Sequence, residues 1–188
     1  MTDINNRRNY TSVKIVELDT KIFEGKKPRD WHKIVKDYVY NNLAGKTITF
    51  NNEDGSIEKI CFARTNERVR KDNANNSHKV INKLALSNNN IRNLCILQIY
   101  DVLQLSFIIG FSNQHTHQWL DEYGWEYRKV FLRDKYNNVW EAVLNIAKTH
   151  NGRFILYDIN KIKKVEQAIV SSFKGLSQRS TFSDKNIP

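Results

Sequence analysis

Two prolines, seven glycines, two cysteines and one methionine are all that 188 residues contain of these types. Each shortage removes a class of protein. So little proline and glycine excludes a collagen-like repeat and a proline-rich disordered chain. Cys61 and Cys95 have no second cysteine at metal-ligand spacing. Two buried thiols in a reducing compartment are expected, with a single bridge as the alternative. The opening MTDINNRRNY lacks the apolar core of a secretion signal, so a cytoplasmic location is expected. The chain carries no Walker loop, G-x-G-x-x-G, H-E-x-x-H or Cys-x-x-Cys. Without a glycine-rich phosphate cradle a nucleoside-triphosphate enzyme is not expected, and no cofactor is implied.

What the chain does have is positive charge and a core. Thirty Lys and Arg against twenty Asp and Glu leave a net charge of +10. That surplus favours a polyanionic partner, nucleic acid first. A hydrophobic fraction of 40% with 27% charged residues suits a folded domain. The most apolar run is LCILQIYDVLQLSFIIGF, residues 94–111, interrupted by Gln98, Asp101 and Gln104. Three polar residues at that spacing form one stripe on a helix and would be costly in lipid. The run is therefore expected to be a buried amphipathic helix and not a membrane span.

Three regions are expected: an N-terminal extension at 1–27, a folded domain at 28–165 and a basic tail at 166–188. SVKIVEL, at 12–18, suits a short strand. Pro28 followed by Trp31, Ile34, Val35, Tyr38 and Val39 predicts a helix over about 29–43, stopped at Gly45. KTITF and SIEKICFAR flank an Asp-Gly turn and read as a hairpin. A polar loop follows, then helices over 77–87 and about 91–108. The period then changes to two, and WEYRKVFLR, NVWEAVLNIAKT and RFILYDI read as a three-stranded meander. The order predicts an α+β fold with helices on one face of an antiparallel sheet.

The chemistry centres on GFSNQHTHQWLDEYGWEYRKVF, residues 110–131. His115 and His117 could hold zinc if His78, His150, Asp121 or Glu122 supplied a third ligand, but no recognised spacing does so. Metal-free RNA cleavage needs less. One group removes the 2′-hydroxyl proton, another protonates the leaving 5′-oxygen, and cations hold the charged phosphorane. Histidine titrates in the right range for both proton steps, and arginine can grip two phosphate oxygens. His117, with His115 second, is the expected acid or base. Arg64 and Lys71 would stabilise the phosphorane, Tyr157 would orient the phosphate, and Lys79, Arg68 and Lys129 would bind substrate. The plainer alternatives are solvated loop histidines, an exposed charged loop at 64–71 and a core tyrosine.

GKTITFNNEDGSIEKICFARTNERVRK, the helical stretch, and GWEYRKVFLRDKYNNVWEAVLNIAKTHNGRFILYDINKIKKV together resemble the barnase–EndoU–colicin–RelE nucleases. The likeness is to the forms found in polyvalent phage proteins and polymorphic toxins, and covers roughly residues 30–165, with the closing STFSDKNIP of the tail in addition. The resemblance implies N-terminal helices packed on a four-stranded, or slightly larger, antiparallel sheet. It also implies a metal-independent ribonuclease toxin acting on RNA, with tRNA the expected substrate, and a cognate immunity protein as partner. A nucleic-acid-binding module without catalysis and a protein-interaction module are the alternatives.

Overall fold

The computed structural model describes residues 14–51, 55–70, 77–85, 87–113 and 122–165. The expected tail at 166–188 and the residues before Lys14 lie outside that set.

Local signals place the first elements. Strand β1 (Ile15–Glu17) precedes a 3-10 turn at Lys21–Phe23 and helix α1 (Pro28–Tyr38). Proline suits the first helical turn, where its missing N–H costs nothing. Trp31 anchors the helix by stacking on Phe23 with ring centroids 4.5 Å apart. The helix widens into a π turn at Val39–Leu43, and Gly45 ends it with a φ of 74°. That left-handed conformation favours glycine. Strands β2 (Thr47–Asn51) and β3 (Ile57–Cys61) form the expected hairpin.

From here the expected and observed structures part. The 77–87 region is not one helix. It holds strand β5 (Ser77–Lys79), paired antiparallel with β4 (Arg68–Arg70), and then the short helix α2 (Asn82–Ala85). The apolar run at 94–111 is divided three ways: helix α3 (Asn90–Leu97), helix α4 (Ile99–Gln104) and strand β6 (Phe107–Ser112). The meander follows as β7 (Glu122–Arg133), β8 (Val139–Thr149) and β9 (Phe154–Lys164).

The expected four-stranded antiparallel, barnase-like sheet is overturned. The main sheet has seven strands in the order β1-β7-β8-β9-β3-β2, with β6 also on β7, and it is mixed and curled into a half-barrel. β1 runs parallel to β7, and β3 runs parallel to β9 at Cys61↔Ile155. The physical reason is that β7 is long enough to hold two neighbours on one edge: β6 opposite 125–129 and β1 opposite 131–133. β1 thus joins the main sheet although it belongs to the segment expected to be an extension.

Alternation along β7 sorts the two faces of the sheet. Val130 and Leu132 enter the main core with Val35, Ile96, Leu103 and Leu144 from helices and sheet. Trp125 joins a smaller cluster with Ala63, Val80, Ala147, Ile155 and Tyr157, and Phe131 another with Ile15 and Val139. The polar stripe on 94–104 has a structural use. Gln98 accepts from the Asp19 N–H at 2.9 Å and donates to the Glu17 carbonyl at 3.0 Å. Gln104 donates to the Asn51 carbonyl at 3.0 Å. Side-chain amides thus satisfy strand backbone groups where no further strand lies among the described residues.

Two buried arginines tie the layers together. Arg92 donates to the carbonyls of Ile159 (2.9 Å), Leu84 (3.3 Å) and Lys83, and to Asp158 Oδ1 (2.7 Å). It therefore closes α2 while fastening α3 to β9. Arg128 is 2% exposed and donates through Nε to Glu126 at 2.6 Å and through Nη2 to Glu58. Its guanidinium also lies 5.5 Å from the Phe50 ring centroid. β8 and β9 separate β7 from β3 in the sheet order, so this contact requires the β2–β3 hairpin to arch over the inner face.

Among the described residues no helix is long and apolar enough to cross a membrane. Replacing Arg128 with Met strands two enclosed carboxylates, and we expect a loss of about 3–5 kcal/mol in urea unfolding. A triple variant with Glu126 and Glu58 also made apolar should recover most of that loss. A single variant as stable as the parent would show that the hairpin is held by packing alone.

Candidate nucleic-acid interface

One row of residues crosses six strands near an end of the sheet. Ser112 faces Trp125, Trp125 faces Ala147, Ala147 faces Ile155, Ile155 faces Cys61 and Cys61 faces Thr47. The chain enters or leaves the sheet beside this row through several connections. One is the turn between β8 and β9. Another is the stretch between Asn113 and Glu122, and the exit of β3 toward the β4–β5 hairpin is a third.

The hairpin is fastened to the same end. Arg153, just before β9, pairs with Glu67 Oε1 at 2.6 Å. The other oxygen of Glu67 accepts the Arg64 backbone N–H at 2.8 Å, and the Glu67 carbonyl accepts from the Val80 N–H at 3.1 Å. Glu67 thus holds the β3 exit, the hairpin base and the β8–β9 turn in one place. Its bond is the leading reason that the Arg153 guanidinium is held above its ordinary pKa. Arg68 and Lys79 are direct ladder partners. Lys83 follows on α2, with its ammonium 6.0 Å from the Tyr157 ring centroid.

Of the residues expected from sequence to act, the structure gathers Arg64, Arg68 and Lys79 here, and Arg64 and Arg68 are exposed. Tyr157 is near them but only 5% exposed, packed edge-on to Trp125 with centroids 5.3 Å apart. It belongs to the core. Lys129 is elsewhere, in mid-sheet, paired with Glu141 at 3.3 Å, and Lys163 meets the same carboxylate at 3.1 Å. His115, His117 and Lys71 lie outside the described residues. The described residues that flank the two histidines are Asn113 and Glu122, close in sequence to the ladder pair Ser112↔Trp125, and those that flank Lys71 are the ladder partners Arg70 and Ser77.

Sequence reasoning missed Glu67 and Arg153, whose roles depend on pairing across 86 residues of chain. It also missed Glu126, Arg128 and Lys148. For these a signal existed. Glu126 and Arg128 share the face of β7 that Val130 and Leu132 bury, and charge on an apolar face marks either a buried pair or a site. Among the described residues, no group of three or more His, Cys, Asp or Glu side chains could hold a metal ion. Searches against protein-family models, curated proteins and solved structures returned no match.

Both cysteines are free thiols, Cys61 partly exposed in the cross-strand row and Cys95 buried in α3. Burial pushes the Cys95 thiol up to about 12, because a thiolate would lose its hydration there. At pH 8 Cys95 therefore stays protonated and unreactive. A thiol-reactive chromophore should modify Cys61 in the native chain and Cys95 only after unfolding. Fast native modification of Cys95 would contradict its burial in α3.

Proposed function

We propose that the chain is a nucleic-acid-binding protein that takes RNA at this end of the sheet. The observation that carries the reading is that Arg64, Arg68, Lys79, Lys83 and Arg153 belong to segments brought to one end of the sheet, where Glu67 pairs with Arg153 and accepts the Arg64 backbone N–H. Fixed cations at one end of a chain of net charge +10 suit a phosphate backbone, whose counterions they displace. Arginine adds paired N–H donors that fit phosphate oxygens. Such a role places the protein in the cytoplasm, where RNA and free thiols coexist.

A second reading, metal-independent cleavage of RNA with tRNA as the expected substrate, is favoured by where the two-histidine segment is anchored. Both of its ends join the sheet beside the basic end. In that reading His117, or His115, would remove the 2′-hydroxyl proton so that the oxygen attacks the adjacent phosphorus. Protonation of the departing 5′-oxygen would leave a cyclic phosphate. Arg64 and Lys71 would balance the charge of the phosphorane. The toxin role and the immunity partner expected from the resemblance belong to this reading alone.

Binding should weaken linearly in a plot of log affinity against log salt. An Arg68→Ala/Lys79→Ala variant should lower the slope by about 0.7 for each single-strand phosphate that is no longer neutralised. Unchanged affinity and slope in that variant would remove this end of the sheet from consideration. Incubating the chain with total tRNA in EDTA separates the readings. Discrete cuts that disappear in His117→Ala and His115→Ala variants would support cleavage, whereas intact RNA with salt-dependent binding leaves a binding module.

A further inference from the structure

Beside the basic end, on the inner face of the sheet, one large ring is left in water. Phe111 of β6 is 60% exposed. Its register partner is Glu126, one position from Trp125 in the cross-strand row. Lys148 of β8 brings its ammonium within 4.2 Å of the Phe111 ring centroid, 5.3 Å of the Phe154 centroid and 4.0 Å of Glu126 Oε2. The Lys148 side chain is itself 21% exposed.

The arrangement has a physical logic. The cation–π contact holds the Phe111 ring against Lys148, and the buried Glu126 carboxylate helps fix the ammonium. Leaving a ring of that size exposed gains nothing for folding, since its transfer from water is forgone. A flat apolar surface next to a fixed cation suits a nucleobase with its phosphate nearby: the ring stacks the base and the ammonium attracts the phosphate. In a duplex the bases already stack on one another and are not available to a protein ring.

We infer that Phe111, backed by Lys148, is a base-stacking platform that makes this end of the sheet selective for single-stranded over double-stranded RNA. The inference rests on the RNA-binding reading and narrows it to a substrate class. The neighbouring Ile108 and Ile109, 40% and 41% exposed, extend the apolar edge of β6. A protein partner would use that whole strand, whereas a base needs the ring.

The test uses fluorescence anisotropy on the full chain with three labelled probes: an unstructured mixed-sequence RNA, an RNA duplex, and an abasic ribose-phosphate oligomer. Phe111→Leu should weaken binding of the unstructured RNA by about 5- to 150-fold. It should leave duplex and abasic binding, and the salt slope, unchanged. Phe111→Trp should retain tight binding to the unstructured RNA. Because the ring is exposed, both variants should melt with the parent. The platform is overturned if Phe111→Leu binds all three probes as the parent does, or loses all three equally. In either case a parent that binds RNA and an Arg68→Ala/Lys79→Ala variant that does not would leave the RNA-binding reading standing. A parent that binds no probe would remove that reading as well.

Discussion

A guanidinium enclosed on three sides ties β7 to the β2–β3 hairpin across the inner face. Arg128 projects from β7 into the inner face and meets Glu126 of its own strand, Glu58 of β3 and the Phe50 ring of β2. β3 shares only one ladder pair with β9, so hydrogen bonding along the sheet edge does little to fix the hairpin. The charges do more. A carboxylate and a guanidinium removed from water are costly apart, so lifting the hairpin off β7 would strand both. The apolar residues Ile48, Phe50 and Ile60 then complete the cluster that α1, α3 and α4 fill from the other side.

The same curl sets where the functional groups fall. β3 runs parallel to β9 from Cys61↔Ile155, so the chain leaving β3 first heads along β9 and has to turn back to reach the β8–β9 turn. Glu67 fastens it there through Arg153. Arg64, Arg68, Lys79 and Lys83 thus belong to the part of the chain that Glu67 fastens at this end of the sheet. Inner and outer faces of that end then differ. The outer side carries the basic hairpin over the Trp125–Tyr157 cluster, and the inner side carries Phe111 and Lys148. In the RNA-binding proposal, backbone charge and base surface would be met by different parts of one edge.

Much of this was legible in the sequence where the determinants are local. Period-two alternation located β7, β8 and β9, and the Asp-Gly turn located the β2–β3 hairpin. Proline and the apolar spacing located α1, with Gly45 as its stop. The 94–111 run was legible only in part. Its polar stripe is real as far as Gln104, and two of its members, Gln98 and Gln104, also serve the backbone beside β1 and β2. Beyond Ser106 the sequence Phe-Ile-Ile-Gly-Phe has no period that separates helix from strand, and pairing with β7 decides the matter. The parallel pairings of β1 and β3 depend on partners far along the chain, and no local pattern announces them. Of the site, the kind of residue was readable and the grouping was not. Arg68 and Lys79 are ladder partners near the Arg64 backbone that Glu67 binds, Lys129 is committed to Glu141, and Tyr157 is packed away.

The central claim is that the curled sheet presents one of its ends to RNA. Hydrogen–deuterium exchange of the full chain, with and without saturating unstructured RNA, tests it most directly, because every amide reports its own position. The account expects slowed exchange over 62–68, 79–83 and 148–154, with α1 and the β1 edge unchanged. Protection centred on α1 or β1, or exchange that is the same with and without RNA, would contradict it.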